Sequence, residues 1–139
     1  MKAYLTRAYL FSASHRLHCD DFSAEKNVSV YGKCNNPYGH GHNYRVEVTV
    51  GGQVDPGLGM VCDLVELDTF VNREVIERYS LGNLNTLPEF KDVVPTTENL
   101  SVEIFNRLHD GFKAAEITKV RIEETAMNSF EYSAGAELR

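Results

Sequence analysis

No cluster of Lys or Arg occurs anywhere along the chain, and its formal net charge is −6. A nucleic-acid binder needs a basic stripe to meet the phosphate backbone, so that class is excluded and any phosphate recognition must be local. No apolar run approaches the roughly 20 residues of a membrane-crossing helix, so no membrane partner is expected. The opening "MKAYLTRAYLF" is interrupted by Thr6 and Arg7 and lacks the apolar core and small-residue cleavage site of a secretory signal. Cysteine is sparse, three residues without framework spacing, which argues against a secreted disulfide scaffold and for a reducing cytoplasm. Repeats, low-complexity tracts and Pro/Gly/Ser-rich linkers are missing as well, so the 139 residues are expected to form one domain, 1–139.

What is present is the composition of a globular protein, 42% hydrophobic and 24% charged. Residues 4–13 read as a strand. In 44–50, Tyr44, Val46, Val48 and Val50 alternate with polar residues, which predicts a strand with one buried face. The stretch from Leu17 to Tyr38 is polar, Asn-rich and turn-prone, and reads as a long excursion carrying Cys34. Asp63 followed by Glu66 has capping-box spacing ahead of Leu64, Leu67, Val71 and Val75, predicting a helix over 64–79. Residues 80–96 look irregular. A second helix is predicted from Thr97, with Glu98 in its first turn, to Gly111 as its stop. Strands at 117–124 and 127–133 complete an α+β pattern, a four-stranded antiparallel sheet with two helices on one face. Open edges on so small a sheet favour oligomerisation.

His40 and His42, at i and i+2 on entry to a strand, send their side chains to one face, and His15 shares the parity of Phe11 and Ala13. Three imidazoles around Zn²⁺ with a fourth position open is a recurrent catalytic arrangement; the alternative is a merely polar strand entry. Cys34 is either a fourth ligand closing the site or an unligated thiol beside an open one, and spacing alone leaves both standing. His18 and His109 read as surface histidines, Cys19 and Cys62 as inert thiols. Glu124 shares the phase of Val120 and Ile122, so its carboxylate points inward, where an unpaired charge is costly and a ligand can be the partner; the alternative is a strand-end Glu in solvent.

The segments "FSASHRL" (11–17), "YGKCNNPYGHGHNYRVEVTV" (31–50), "DPGLGMVCDL" (55–64), "DVVPTTENL" (92–100) and "RIEET" (121–125) resemble the 6-pyruvoyl-tetrahydropterin synthase and 6-carboxy-tetrahydropterin synthase family nearly from end to end. The cysteine-to-histidine spacing is closer to the pyruvoyl-forming members. The resemblance implies the tunnelling fold, with sheets joined into a barrel in trimers that pair into a homo-hexamer and sites between subunits. It implies His15, His40 and His42 as zinc ligands and Cys34 as a catalytic thiol facing the substrate. Glu124 would be the pterin anchor, with Thr96, Thr97 and Glu98 as pterin contacts across the interface. The implied substrate is 7,8-dihydroneopterin triphosphate, with triphosphate eliminated; whether Mg²⁺ assists the triphosphate, and whether a biopterin, folate-like or deazapurine (queuosine) pathway is served, is left open. One departure stands out. The family has an Asp-His pair after the first helix that helps the cysteine move protons, and here Ser80 and Leu81 occupy those positions. Altered chemistry (a 6-carboxy-type or side-chain-cleaving relative) or a pterin- and zinc-holding protein without catalysis are the competing expectations.

Overall fold

The computed structural model describes residues 1–134. Four strands, β1 (Lys2–His15), β2 (His40–Gln53), β3 (Glu116–Thr125) and β4 (Asn128–Tyr132), pair antiparallel in the order β1-β2-β3-β4, as the sequence pattern predicts. β1 and β2 are longer than the apolar alternation suggests. They pair along their whole length, from Lys2 opposite Gln53 to His15 opposite His40, and their ends are polar because only the middle is covered.

The pleat sorts the side chains. Phe11 and Tyr44 stack at 5.1 Å between centroids, and Val46 and Val48 face Ile122 and Val120 across the β2–β3 pair. All six are buried. Each such side chain contributes about 1.5–3 kcal/mol by leaving water. Covering them are α2 (Leu64–Val71), a π-helical turn (Asn72–Ile76) and α3 (Glu77–Tyr79), which run as one ribbon, and α4 (Thr97–Gly111). Asp63 caps α2 by accepting from the Val65 and Glu66 amides. The buried stripe Leu67, Val71, Val75, Tyr79 has a strict four-residue period. An α-helix drifts about 40° per such step, and the wider π turn absorbs the drift, keeping Tyr79 on the core side. Gly111, expected to stop the helix, is its last residue. A Cβ there would lie 2.6 Å from Phe70 Cζ, so its glycine serves close packing.

Two features depart from the expected outline. The excursion between β1 and β2 contains a helix, α1 (Ala24–Tyr31), capped by Ser23, and a 3₁₀ turn, Gly32–Asn35. The outer edge of β1 is partly covered: Leu81 N–H donates to the Ser12 carbonyl (2.6 Å) and Ser14 N–H to the Gly82 carbonyl (2.9 Å), so residues 81–83 run beside its last turn of pleat. The face opposite the helices carries paired polar groups, among them Thr6 with Thr49 (2.8 Å) and Arg121 with Glu47 and Glu123.

Candidate active site

The antiparallel register brings the histidines together. His15 lies opposite His40, and Ala13 opposite His42, so all three imidazoles leave the core side at one end of the β1–β2 pair. Their ring centroids are 5.1 Å (His15–His40), 5.0 Å (His15–His42) and 4.7 Å (His40–His42) apart. Gly39 makes this entry possible. It adopts φ +72°, and a Cβ would lie 2.8 Å from the His15 carbonyl oxygen. A side chain at that position would push β2 off the end of β1.

His15 is fully buried, and Nδ1 lies 2.8 Å from the Pro95 carbonyl oxygen. A carbonyl only accepts, so Nδ1 carries the proton and Nε2 presents its lone pair to the centre. Burial, the largest influence, lowers the His15 pKa against the raising effect of the Pro95 bond, and burial likewise lowers that of His42. Neutral imidazoles are the metal-binding form. The Nε2 atoms of His15, His40 and His42 are all buried without a hydrogen-bond partner among the described residues. Orphaned buried nitrogens cost free energy unless something binds them, and three on imidazoles whose centroids lie 4.7 to 5.1 Å apart fit a metal ion. Three imidazoles with carboxylate or thiolate suit Zn²⁺, which accepts N, O and S donors in tetrahedral sites.

Glu124 turns inward, as its phase predicts, despite a bulge between Glu123 and Thr125. Its side chain is 13% exposed, with Oε1 at 3.2 Å from His42 Nε2 and 3.6 Å from His15 Nε2, near contacts that lack hydrogen-bond alignment. Oε2 accepts from Asn128 Nδ2 (3.2 Å). Cys34 sits on the 3₁₀ turn, placed by Leu17 N–H donating to its carbonyl (2.7 Å), while Asn35 Nδ2 donates to the Leu17 carbonyl (2.8 Å). Burial and, after it, the charge of Glu124 push the Cys34 thiol up. The donor atoms fall into two overlapping sets, His15/Cys34/His40 and His15/His42/Glu124, each within 4.8 Å of one another.

The remaining candidates lie around this centre. Thr96 caps α4, accepting from the Asn99 amide (3.2 Å), and Thr97 is 2% exposed with its hydroxyl unpartnered among the described residues. Glu98 is exposed. Ser80 ends α3, and Leu81 adopts φ +57° at 91% exposure. Leu81 lines a cavity of about 290 Å³ that it shares with His42, Ser12, Ser14 and Asn43, and Cys34 is not among its walls. Neither other histidine is available as a substitute: His18 is engaged with Asn35 (3.0 Å) and Asp20 (3.3 Å). His109 lines a cavity with Lys2 and Gln53. That is the far end of the sheet, and from Thr97, near His15, the helix α4 runs roughly 18 Å at about 1.5 Å per residue before it reaches His109. Pro95, whose carbonyl orients His15, and Tyr44, whose ring underlies His42 at 5.6 Å, were not marked as site residues by sequence. Tyr44 read only as core, and no residue-type pattern announces a carbonyl's direction.

A sequence profile of the family described as 6-pyruvoyl tetrahydropterin synthase matches residues 4–135. Among similar proteins, a 6-pyruvoyl tetrahydrobiopterin synthase of Poecilia reticulata is 48% identical over 130 residues, covering 93% of this chain and 88% of that protein. The protein of the same description from Homo sapiens is 42% identical over 132 residues, covering 94% and 91%. The solved structure of Caenorhabditis elegans 6-pyruvoyl tetrahydropterin synthase superposes with a TM-score of 0.92 at 38% identity, covering 97% of each chain.

Proposed function

The chain belongs to the 6-pyruvoyl tetrahydropterin synthase family, and from that premise we propose that it is a zinc-dependent lyase acting on 7,8-dihydroneopterin triphosphate. The observation that carries this reading is the cluster of three neighbouring imidazoles, His15, His40 and His42, whose buried Nε2 atoms have no hydrogen-bond partner among the described residues, beside Cys34 and Glu124. When bound there, Zn²⁺ supplies Lewis-acid polarisation of the substrate's side-chain hydroxyls. The Glu124 carboxylate pairs with adjacent N–H donors of the aminopyrimidinone ring through two parallel hydrogen bonds, fixing the pterin's orientation. Thr96, Thr97 and Glu98 add pterin contacts from a neighbouring subunit of a hexamer whose trimers join their sheets into a barrel. The Cys34 thiol carries protons between the side-chain carbons, the double bond is redistributed, and triphosphate leaves.

A second reading has its own observation. With Ser80 and Leu81 in place of the family's Asp-His pair, no carboxylate or imidazole is offered from that segment, and a positioned acid or base typically contributes about a hundred- to ten-thousandfold in rate. This favours slow turnover, a 6-carboxy-type relative, a side-chain-cleaving reaction, which needs fewer proton transfers, or, at the limit, a protein that holds pterin and zinc without converting them. The test is metal removal. Chelation is expected to abolish triphosphate release and one equivalent of Zn²⁺ to restore it; release that continues at full rate in metal-free protein would refute the zinc dependence.

A further inference from the structure

Resting on the zinc-dependent reading above, we propose that Cys34 is itself a metal ligand in the substrate-free site and is displaced when the substrate's side chain binds. The sulfur lies within 4.8 Å of the ligand atoms of both His15 and His40, the same limit that the set of His15, His42 and Glu124 meets. Donors around a tetrahedral zinc are separated by roughly 3.3–3.6 Å, so a shift on the order of 1 Å closes the set. The backbone already favours that closure. Cys34 is pinned beside the end of β1 by the Leu17-to-Cys34 bond and by Asn35. On the other side, His15 and His40 present buried Nε2 atoms that have no hydrogen-bond partner among the described residues.

Neither the segment after α3 nor the two other histidines offers the thiol an activator. Leu81, although it shares a cavity with His42, carries no titratable group, His18 is held by Asn35 and Asp20, and His109 is at the other end of the sheet. Ligation supplies what these residues do not, because a coordinating thiol is deprotonated outright. The exchange is proton-balanced. The thiol proton passes to solvent when the metal binds. The thiolate set free when a substrate hydroxyl takes its place would then take up the proton of a side-chain carbon and return it to the neighbouring carbon, so no separate base is required to prepare Cys34.

The test is the visible and near-ultraviolet spectrum of the Co²⁺-loaded full chain. A thiolate-to-cobalt charge-transfer band is expected in the wild type, lost in Cys34→Ala and in the near-isosteric Cys34→Ser, kept in Cys19→Ala, and weakened when neopterin, whose side chain keeps the hydroxyls but has no triphosphate to lose, is added. Circular dichroism checks that the variants fold. Wild-type protein that binds Co²⁺ without the band, or a band that survives in both Cys34 variants while folded, overturns the proposal. If the band is absent yet triphosphate is released, the ligand role fails and the lyase reading stands. If the band is present and nothing is released, the lyase reading alone fails.

Discussion

His15 Nδ1 donates to the Pro95 carbonyl oxygen at 2.8 Å, joining residues eighty positions apart in the chain. The bond selects the tautomer whose Nε2 faces His40, His42 and Glu124, and it ties the first strand to the segment leading into α4. That segment is itself clamped: Asn99 Nδ2 donates to the Val94 carbonyl (2.8 Å), as does the Thr96 amide (2.8 Å), and the Thr96 hydroxyl accepts from the Asn99 amide (3.2 Å).

Asn99 is therefore expected to act on the metal site without touching it. Removing an outer-shell partner of a histidine ligand typically weakens metal affinity about 10- to 100-fold. Asn99→Ala should show a loss of that size in chelator competition with Zn²⁺. An unchanged zinc affinity in a folded variant would mean that the Pro95 carbonyl is held by other means.

The segment after α3 offers a gain-of-function prediction. Leu81 occupies a left-handed backbone conformation, uncommon for a non-glycine residue, and is held there by its N–H bond to Ser12. The backbone that would display an imidazole is in place while the side chain is inert. The double change Ser80→Asp, Leu81→His is expected to raise turnover by about a hundredfold or more, with metal affinity unaltered. No increase in rate would show that the missing pair is not limiting in this protein.

Stability should respond to acid through Glu89. Its carboxylate is 9% exposed and accepts from Arg78 (2.6 and 2.7 Å), Arg107 (3.1 Å) and the Tyr79 hydroxyl (3.2 Å). The Arg78 guanidinium, first among these influences, lowers its pKa from 4.5 to about 2. Because the folded value lies below the unfolded one, the contribution is complete above about pH 4.5 and is lost as pH falls toward 2, on the order of 3 kcal/mol at most. Arg78 is partly exposed, which places the real figure below that ceiling. Denaturant titrations between pH 2 and 6 should show a slope that Glu89→Gln flattens; an equal slope in the variant would assign the acid sensitivity elsewhere.

The alternation of Tyr44, Val46 and Val48 was legible because one face of β2 is buried, and the same parity carried His40 and His42 to the right side. His15 followed from its phase with Phe11 and Ala13. Glu124 was legible as a charge in an apolar phase, and the bulge after Glu123 did not turn it outward. The helix α1 was not legible for a physical reason. Its buried residue is Asn27, which serves hydrogen bonds to Cys19, Phe22 and Ser23, while Val28 and Val30 stay exposed, so no apolar stripe marks it. The covering of the β1 edge by residues 81–83 and the aim of the Pro95 carbonyl are backbone relationships between distant segments, and residue types do not encode them. Cys34 was left between two roles by its spacing, and only the 3₁₀ turn and the Leu17 bond put its sulfur beside His15 and His40.

The most direct test is to incubate the zinc-loaded protein with 7,8-dihydroneopterin triphosphate and identify the products by mass spectrometry. The account predicts triphosphate and a 6-pyruvoyl tetrahydropterin in equal amounts, formed slowly for want of the Asp-His pair. Tight pterin binding with no triphosphate released after long incubation would contradict it.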